Sequence, residues 1–88
     1  MIKVAPSLLA ADYLRLGDEI KRMAEAGADY LHFDVMDGSF VPNISFGPGV
    51  AQRAAECGLP VDAHLMIINP EKYIDAFARA GARIITVH

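Results

Sequence analysis

The chain has 88 residues, 53% of them hydrophobic and 22% charged, with a formal net charge of -3. That is material for one small globular domain, and its mild acidity leaves no electrostatic footprint for nucleic acid. No stretch approaches the ~18 consecutive apolar residues of a membrane span, and Met1-Ile2-Lys3-Val4-Ala5-Pro6 lacks the apolar h-region of a signal peptide, so a cytoplasmic protein without a membrane partner is expected.

Short apolar runs alternate with segments of helical period. Residues 2–6 read as a first strand. Asp12 stands where a helix N-cap would, ahead of Leu16, Ile20, Met23 and Gly27 on one stripe. Residues 30–36 form a second strand in which Leu31, Phe33 and Val35 alternate with Tyr30, His32, Asp34 and Met36. A short helix is expected from Pro48 or Gly49 to Cys57, followed by a third strand at residues 61–66. Asn69-Pro70-Glu71 combines a capping residue, a proline suited to the first helical position and an acid in the first turn. It opens a helix with Ile74, Phe77, Ala78 and Gly81 on its inner stripe. Residues 83–87 are the fourth strand. The order β-α-β-α-β-α-β requires parallel strands joined by right-handed crossovers, here in the order 1-2-3-4.

An internal repeat supports this class. Ala24-Glu25-Ala26-Gly27-Ala28-Asp29 and Ala78-Arg79-Ala80-Gly81-Ala82-Arg83 lie 54 residues apart, and each leads into a strand. Ala55-Glu56-Cys57-Gly58 does the same before the third strand. Glycine is the favoured residue just past a helix, but three successive helix-Gly-strand joints point to a (β/α) barrel or a piece of one. Cys57 is the only cysteine. It has no partner for an internal disulfide or a multi-thiolate zinc site, and it reads as a small buried apolar residue.

The chemistry-bearing residues concentrate on two strands. His32 and Asp34 are two apart and share a face, and so do Asp62, His64 and Met66. A lone histidine on an apolar strand is usually a satisfied core residue. Three ionisable groups at matching depth are different, because burying them unpaired costs several kcal/mol and a cation offsets that cost. His32, Asp34 and His64 are therefore the candidate ligands of one divalent ion, with zinc, iron(II), manganese and cobalt all suited to imidazole and carboxylate donors. Asp62 is placed to orient an imidazole from behind. Asp37-Gly38 is ordinary turn chemistry. Met36 and Met66 are core filler or the walls of a cavity. His88 follows the parity of Thr86, which aims it inward, but a terminal residue is expected to fray.

With these residues in place, the chain resembles the N-terminal half of the ribulose-phosphate 3-epimerase family. The matching motifs are Ala5-Pro6-Ser7-Leu8-Leu9-Ala10-Ala11-Asp12, then His32-Phe33-Asp34-Val35-Met36-Asp37-Gly38 with Phe40-Val41-Pro42-Asn43, then Asp62-Ala63-His64-Leu65-Met66. The resemblance runs the whole length. It implies the first half of a (β/α)₈ TIM barrel of the ribulose-phosphate-binding type, with residues 1–88 as a single incomplete barrel domain. It also implies interconversion of ribulose 5-phosphate and xylulose 5-phosphate with one divalent metal. On this basis His32, Asp34 and His64 are metal ligands, Asp34 is also one of two acid/base carboxylates, Ser7 and His64 are substrate contacts, and Met36 and Met66 flank the reacting carbon.

Ser39 departs from the family, which commonly carries histidine after the Met-Asp-Gly turn. The resemblance covers roughly half of a barrel that needs ~200 residues or more. It therefore places the second carboxylate, which is also the fourth metal ligand, and the phosphate loops beyond His88, and the 88 residues alone are expected to be inactive. A half-barrel would leave strand edges unpaired, so a homo-oligomer is expected. The alternatives are an epimerase for a six-carbon ketose phosphate such as allulose 6-phosphate, and a non-catalytic half-barrel that binds metal. A phosphosugar decarboxylase is disfavoured. Such sites use Asp-x-Lys-x-x-Asp, and the only lysines are Lys3, Lys21 and Lys72.

Overall fold

The computed structural model describes residues 1–88. Its sheet has three parallel strands in sequential order, β1 (Leu31–Met36), β2 (Val61–Met66) and β3 (Ala82–Val87). Helix α1 (Leu16–Glu25) precedes β1, α2 (Pro48–Ala55) links β1 to β2, and α3 (Ile74–Arg79) links β2 to β3. β1 and β2 pair without interruption, from Leu31 opposite Val61 to Met36 opposite Met66.

The alternation read from the sequence sets the two faces of the sheet. Leu31, Phe33 and Val35 of β1 and Val61, Ala63 and Leu65 of β2 are all buried, and they join one core with Ile20, Ala51, Ala54, Phe77 and Ala80. Each large apolar side chain so buried contributes roughly 1.5–3 kcal/mol. A one-residue slip would turn that whole set to the open face, so the register is strongly specified. His32, Asp34, Asp62 and His64 occupy the other face and are half-buried.

The first strand expected at residues 2–6 is not formed. Residues 2–6 run beside β1, with Asp29 N and Tyr30 N donating to Val4 O and His32 N donating to Pro6 O. The segment gives nothing back, because Pro6 has no N–H and Val4 N donates to the Asp29 carboxylate at 2.8 Å. Only a single bridge, Ser7 with His32, remains of the ladder. The parallel order expected for the other three strands is observed.

Local start signals also resolve differently. Asp12 caps a one-turn 3₁₀ helix, Tyr13–Arg15, by accepting from Leu14 N at 3.1 Å, and α1 begins only after it. Asn69 is not a side-chain cap. Its left-handed backbone (φ 52°, ψ 55°) lies outside the extended region a cap requires, and a 3₁₀ turn, Pro70–Lys72, precedes α3. That delay shifts the inner stripe of α3 to Phe77 and Ala80, leaving Ile74 and Ala78 exposed. Cys57 lies just past α2 and is half-buried rather than buried.

The helix-Gly-strand joints form as read, with Gly27, Gly58 and Gly81 at φ of 98°, 104° and 111°. Gly81 is doubly constrained, since a Cβ there would lie 2.7 Å from the Ala55 Cβ. Just beyond it, Val61 pairs with Ala82 and Asp62 with Ile84, so Arg83 is the extra residue of a bulge. After the bulge His64 stands opposite Thr86. β3 packs Ile85 against the core while Ile84 and Val87 remain 42% and 45% exposed at the end of the sheet.

Candidate metal centre

The parallel register places His32 opposite Asp62 and Asp34 opposite His64. Four polar side chains therefore converge on the open face of the sheet without any loop to position them. Their backbone is held by ladder hydrogen bonds, so the cluster is built on rigid elements. Ser45 adds a brace across the end of β1: its Oγ donates to Asp34 O at 2.6 Å and accepts from Met36 N at 2.9 Å.

The two oxygens of Asp34 have separate tasks. Oδ2 accepts from the Ser7 hydroxyl at 2.7 Å. Oδ1 lies 3.0 Å from His32 Nε2 and 3.3 Å from His64 Nδ1. The far nitrogen of His32, Nδ1, is 3.0 Å from Asp62 Oδ2. His32 is thus held between two carboxylates. Asp62 orients an imidazole as expected, and the imidazole is that of His32 across the ladder.

Electrostatics follow from this geometry. Burial pulls the His32 pKa down, but the Asp62 hydrogen bond and the charges of Asp34 and Asp62 outweigh it, and the net effect is upward from 6.5. Burial pushes Asp34 up, yet the Ser7 hydrogen bond, the His32 charge and the hydrogen bonds of both histidines hold it below the ordinary 3.8. A neutral His32 has one N–H for two carboxylates. Its imidazolium form satisfies both, and so does a neutral ring that donates to Asp62 and turns its Nε2 lone pair to a cation.

The donor set fits such a cation. One nitrogen from each histidine and one oxygen of Asp34 lie within 4.8 Å of one another. Donors around a tetrahedral ion with ~2.1 Å bonds are about 3.4 Å apart, close to the separations measured along Asp34. Two imidazoles and a carboxylate suit zinc, iron(II), manganese or cobalt, and leave coordination positions open for further ligands.

The remaining residues singled out in the sequence fall into three groups. Ser7 joins the cluster through Asp34. Met36 and Met66 face each other across the ladder at the C-terminal ends of β1 and β2, Met66 being 8% exposed. Asp37 stands apart and works in the turn: Oδ1 accepts from Ser39 N and Oδ2 from Ile68 N, each at 2.9 Å, tying the loop after β1 to the loop after β2. The Ile68 and Ser39 amides hold its carboxyl below the ordinary value.

Two contacts were not legible as site features. His88 Nε2 lies 2.9 Å from His64 Nε2, so the inward parity read from Thr86 holds. Phe40 stacks on His88. Nothing in the local sequence marks Ser45, whose role arises from the path of the loop between β1 and α2.

No helix is long and apolar enough to cross a membrane. Residues 3–88 match the model of the ribulose-phosphate 3 epimerase family. The chain is 56% identical to a ribulose-phosphate 3-epimerase of Bacillus subtilis (strain 168) over 89 positions, covering 100% of this chain and 41% of that protein. It is 57% identical to the ribulose-phosphate 3-epimerase of Synechocystis sp. (strain ATCC 27184 / PCC 6803 / Kazusa), covering 99% of this chain and 38% of that protein. A chloroplastic ribulose-5-phosphate-3-epimerase of Arabidopsis thaliana is 48% identical and covered over 31% of its length. The chain spans about two-fifths of the first two of these relatives. Because the match takes in nearly every residue, including both strands that carry the His/Asp cluster, the chain belongs to the ribulose-phosphate 3 epimerase family.

Proposed function

We propose that residues 1–88 supply the first half of a (β/α)₈ barrel that interconverts D-ribulose 5-phosphate and D-xylulose 5-phosphate by proton transfer at C3. The single observation that carries this reading is the division of Asp34, with one oxygen among the imidazole donors and the other on Ser7. His32, Asp34 and His64 hold the divalent cation. When bound, such an ion supplies fixed positive charge against the oxygen that becomes anionic as C3 loses its proton.

Asp34 takes the C3 proton on one face of the sugar, leaving an enediolate, and on the return pass delivers a proton to that same face. Its depressed pKa keeps it ionised near neutrality and ready to accept. Inversion requires a second acid on the opposite face. Asp62 is committed to His32 and does not fill that role. The remaining strands of the barrel supply it, together with the phosphate-binding loops. Ser7 and His64 contact the substrate, and Met36 and Met66 wall the reacting carbon with apolar surface that excludes water. The assembled protein is a homo-oligomer. A reducing compartment such as the cytoplasm fits the lone free thiol, Cys57.

The test is a chimaera in which this chain replaces the matched segment of the Bacillus subtilis relative. Metal-dependent conversion of ribulose 5-phosphate, read by a coupled assay for xylulose 5-phosphate, is the expected result. A folded chimaera that turns over neither this pentulose nor allulose 6-phosphate would leave the metal-binding half-barrel reading. Preference for allulose 6-phosphate would reassign the substrate.

A further inference from the structure

His64 has a second ring nitrogen, and its partner is specific. Nε2 lies 2.9 Å from His88 Nε2 and has no other hydrogen-bond partner in the structure. The two rings sit 5.0 Å apart at 33°. On its other side His88 stacks on Phe40, with centroids 5.6 Å apart and planes 27° from parallel. The strand order explains the approach: His64 pairs with Thr86, and two residues further the chain returns to the same face.

Two neutral imidazole nitrogens at this distance share one proton, so one donates and the other accepts. The two assignments differ in what His64 shows to Asp34, whose Oδ1 is 3.3 Å from His64 Nδ1. When His88 Nε2–H donates, His64 accepts at Nε2 and carries its own proton on Nδ1, aimed at the carboxylate. That arrangement suits the metal-free cluster. When His64 Nε2–H donates to His88 instead, His64 Nδ1 is a bare lone pair directed at the cluster. That arrangement is the one a cation ligand needs. The exchange conserves protons, because His88 moves its own from Nε2 to Nδ1 as His64 moves its proton from Nδ1 to Nε2.

We propose that His88 is a positioning residue for His64: it switches between donor and acceptor, so that His64 can present an unprotonated Nδ1 to a divalent cation, while Phe40 holds the His88 ring in place. A side chain limited to one role would stabilise only one of the two forms. This proposal rests on the metal centre described above.

The test compares the chain with His88→Phe, which preserves an aromatic surface for Phe40 and removes both nitrogens, and with His88→Gln, whose amide both donates and accepts. Cobalt(II) affinity is measured by competition with a chelator, and ¹⁵N spectra of labelled histidine report the tautomer of His64 without and with zinc. His88→Phe is expected to bind cobalt about 10–100-fold more weakly, and His88→Gln to recover most of that loss. In the parent, the His64 proton is expected on Nδ1 without metal and on Nε2 with it. Equal affinities for the parent and His88→Phe, or zinc ligation through His64 Nε2, would overturn the role of His88 while leaving the metal centre intact. A parent chain that binds neither ion would overturn the centre and the positioning role together.

Discussion

The Ser7 hydroxyl donates to Asp34 Oδ2 at 2.7 Å, across an extended segment that shares only one ladder bridge with β1. This bond fixes the rotation of the carboxylate and leaves Oδ1 for the imidazoles. It is also a leading contribution to the low pKa of Asp34. Ser7→Ala is therefore expected to raise that pKa, measurable by carboxyl ¹³C titration of the metal-free chain. In the chimaera it is expected to lower kcat about tenfold, the order of a lost hydrogen bond to a charged group. An unmoved pKa would show that the bond contributes nothing to the ionisation of Asp34.

Asp34→Asn removes the proton acceptor and one anionic donor together. In the chimaera kcat is expected to fall by about 10³-fold or more, with KM far less affected, because both losses strike the transition state. Steady-state kinetics with metal in excess check this. Near-normal turnover would dismiss Asp34 as the base.

Stability of the metal-free chain should peak in mildly acidic solution. His32 has a raised pKa, so its contribution is complete below 6.5 and is lost as pH rises through the folded-state value above it. Asp34 has a lowered pKa, so its contribution is complete above 3.8 and is lost as pH falls through the folded-state value below it. Urea midpoints measured in a chelating buffer should therefore be highest between these limits. A steady rise in midpoint from pH 6 to 8 would contradict the assignment.

Gly81→Ala meets two obstacles, a φ of 111° and an approach of 2.7 Å to the Ala55 Cβ. The expected cost is about 2–4 kcal/mol, combining backbone strain with displacement of α2 from α3. Urea denaturation measures it. A change within about 0.5 kcal/mol would mean that the turn relaxes freely.

Self-association is expected for the isolated chain. β3 ends the sheet with Ile84 and Val87 42% and 45% exposed, and Met1, Ile2 and Leu14 are almost fully exposed elsewhere. Such an edge templates pairing with another chain. Sedimentation velocity at rising concentration should show dimers or larger species, and a concentration-independent monomer would refute the edge argument.

The sequence by itself determined the alternation of β1 and β2, the three helix-Gly-strand joints and the shared face of His32, Asp34 and His64. Each is a local matter: strand parity assigns faces residue by residue, and a left-handed joint favours glycine wherever it occurs. Family motifs named Ser7 as well. Tertiary structure decided what depends on neighbours distant in sequence. Residues 2–6 have strand composition but fail to form a ladder, because Pro6 lacks an N–H and Asp29 captures that of Val4. Asn69 has a capping side chain, yet the chain path after β2 puts its backbone in the left-handed region. His88 carried an inward parity in the sequence. Only the pairing of β3 with β2 brought its ring to His64, since a contact across 24 residues depends on strand register and not on local spacing.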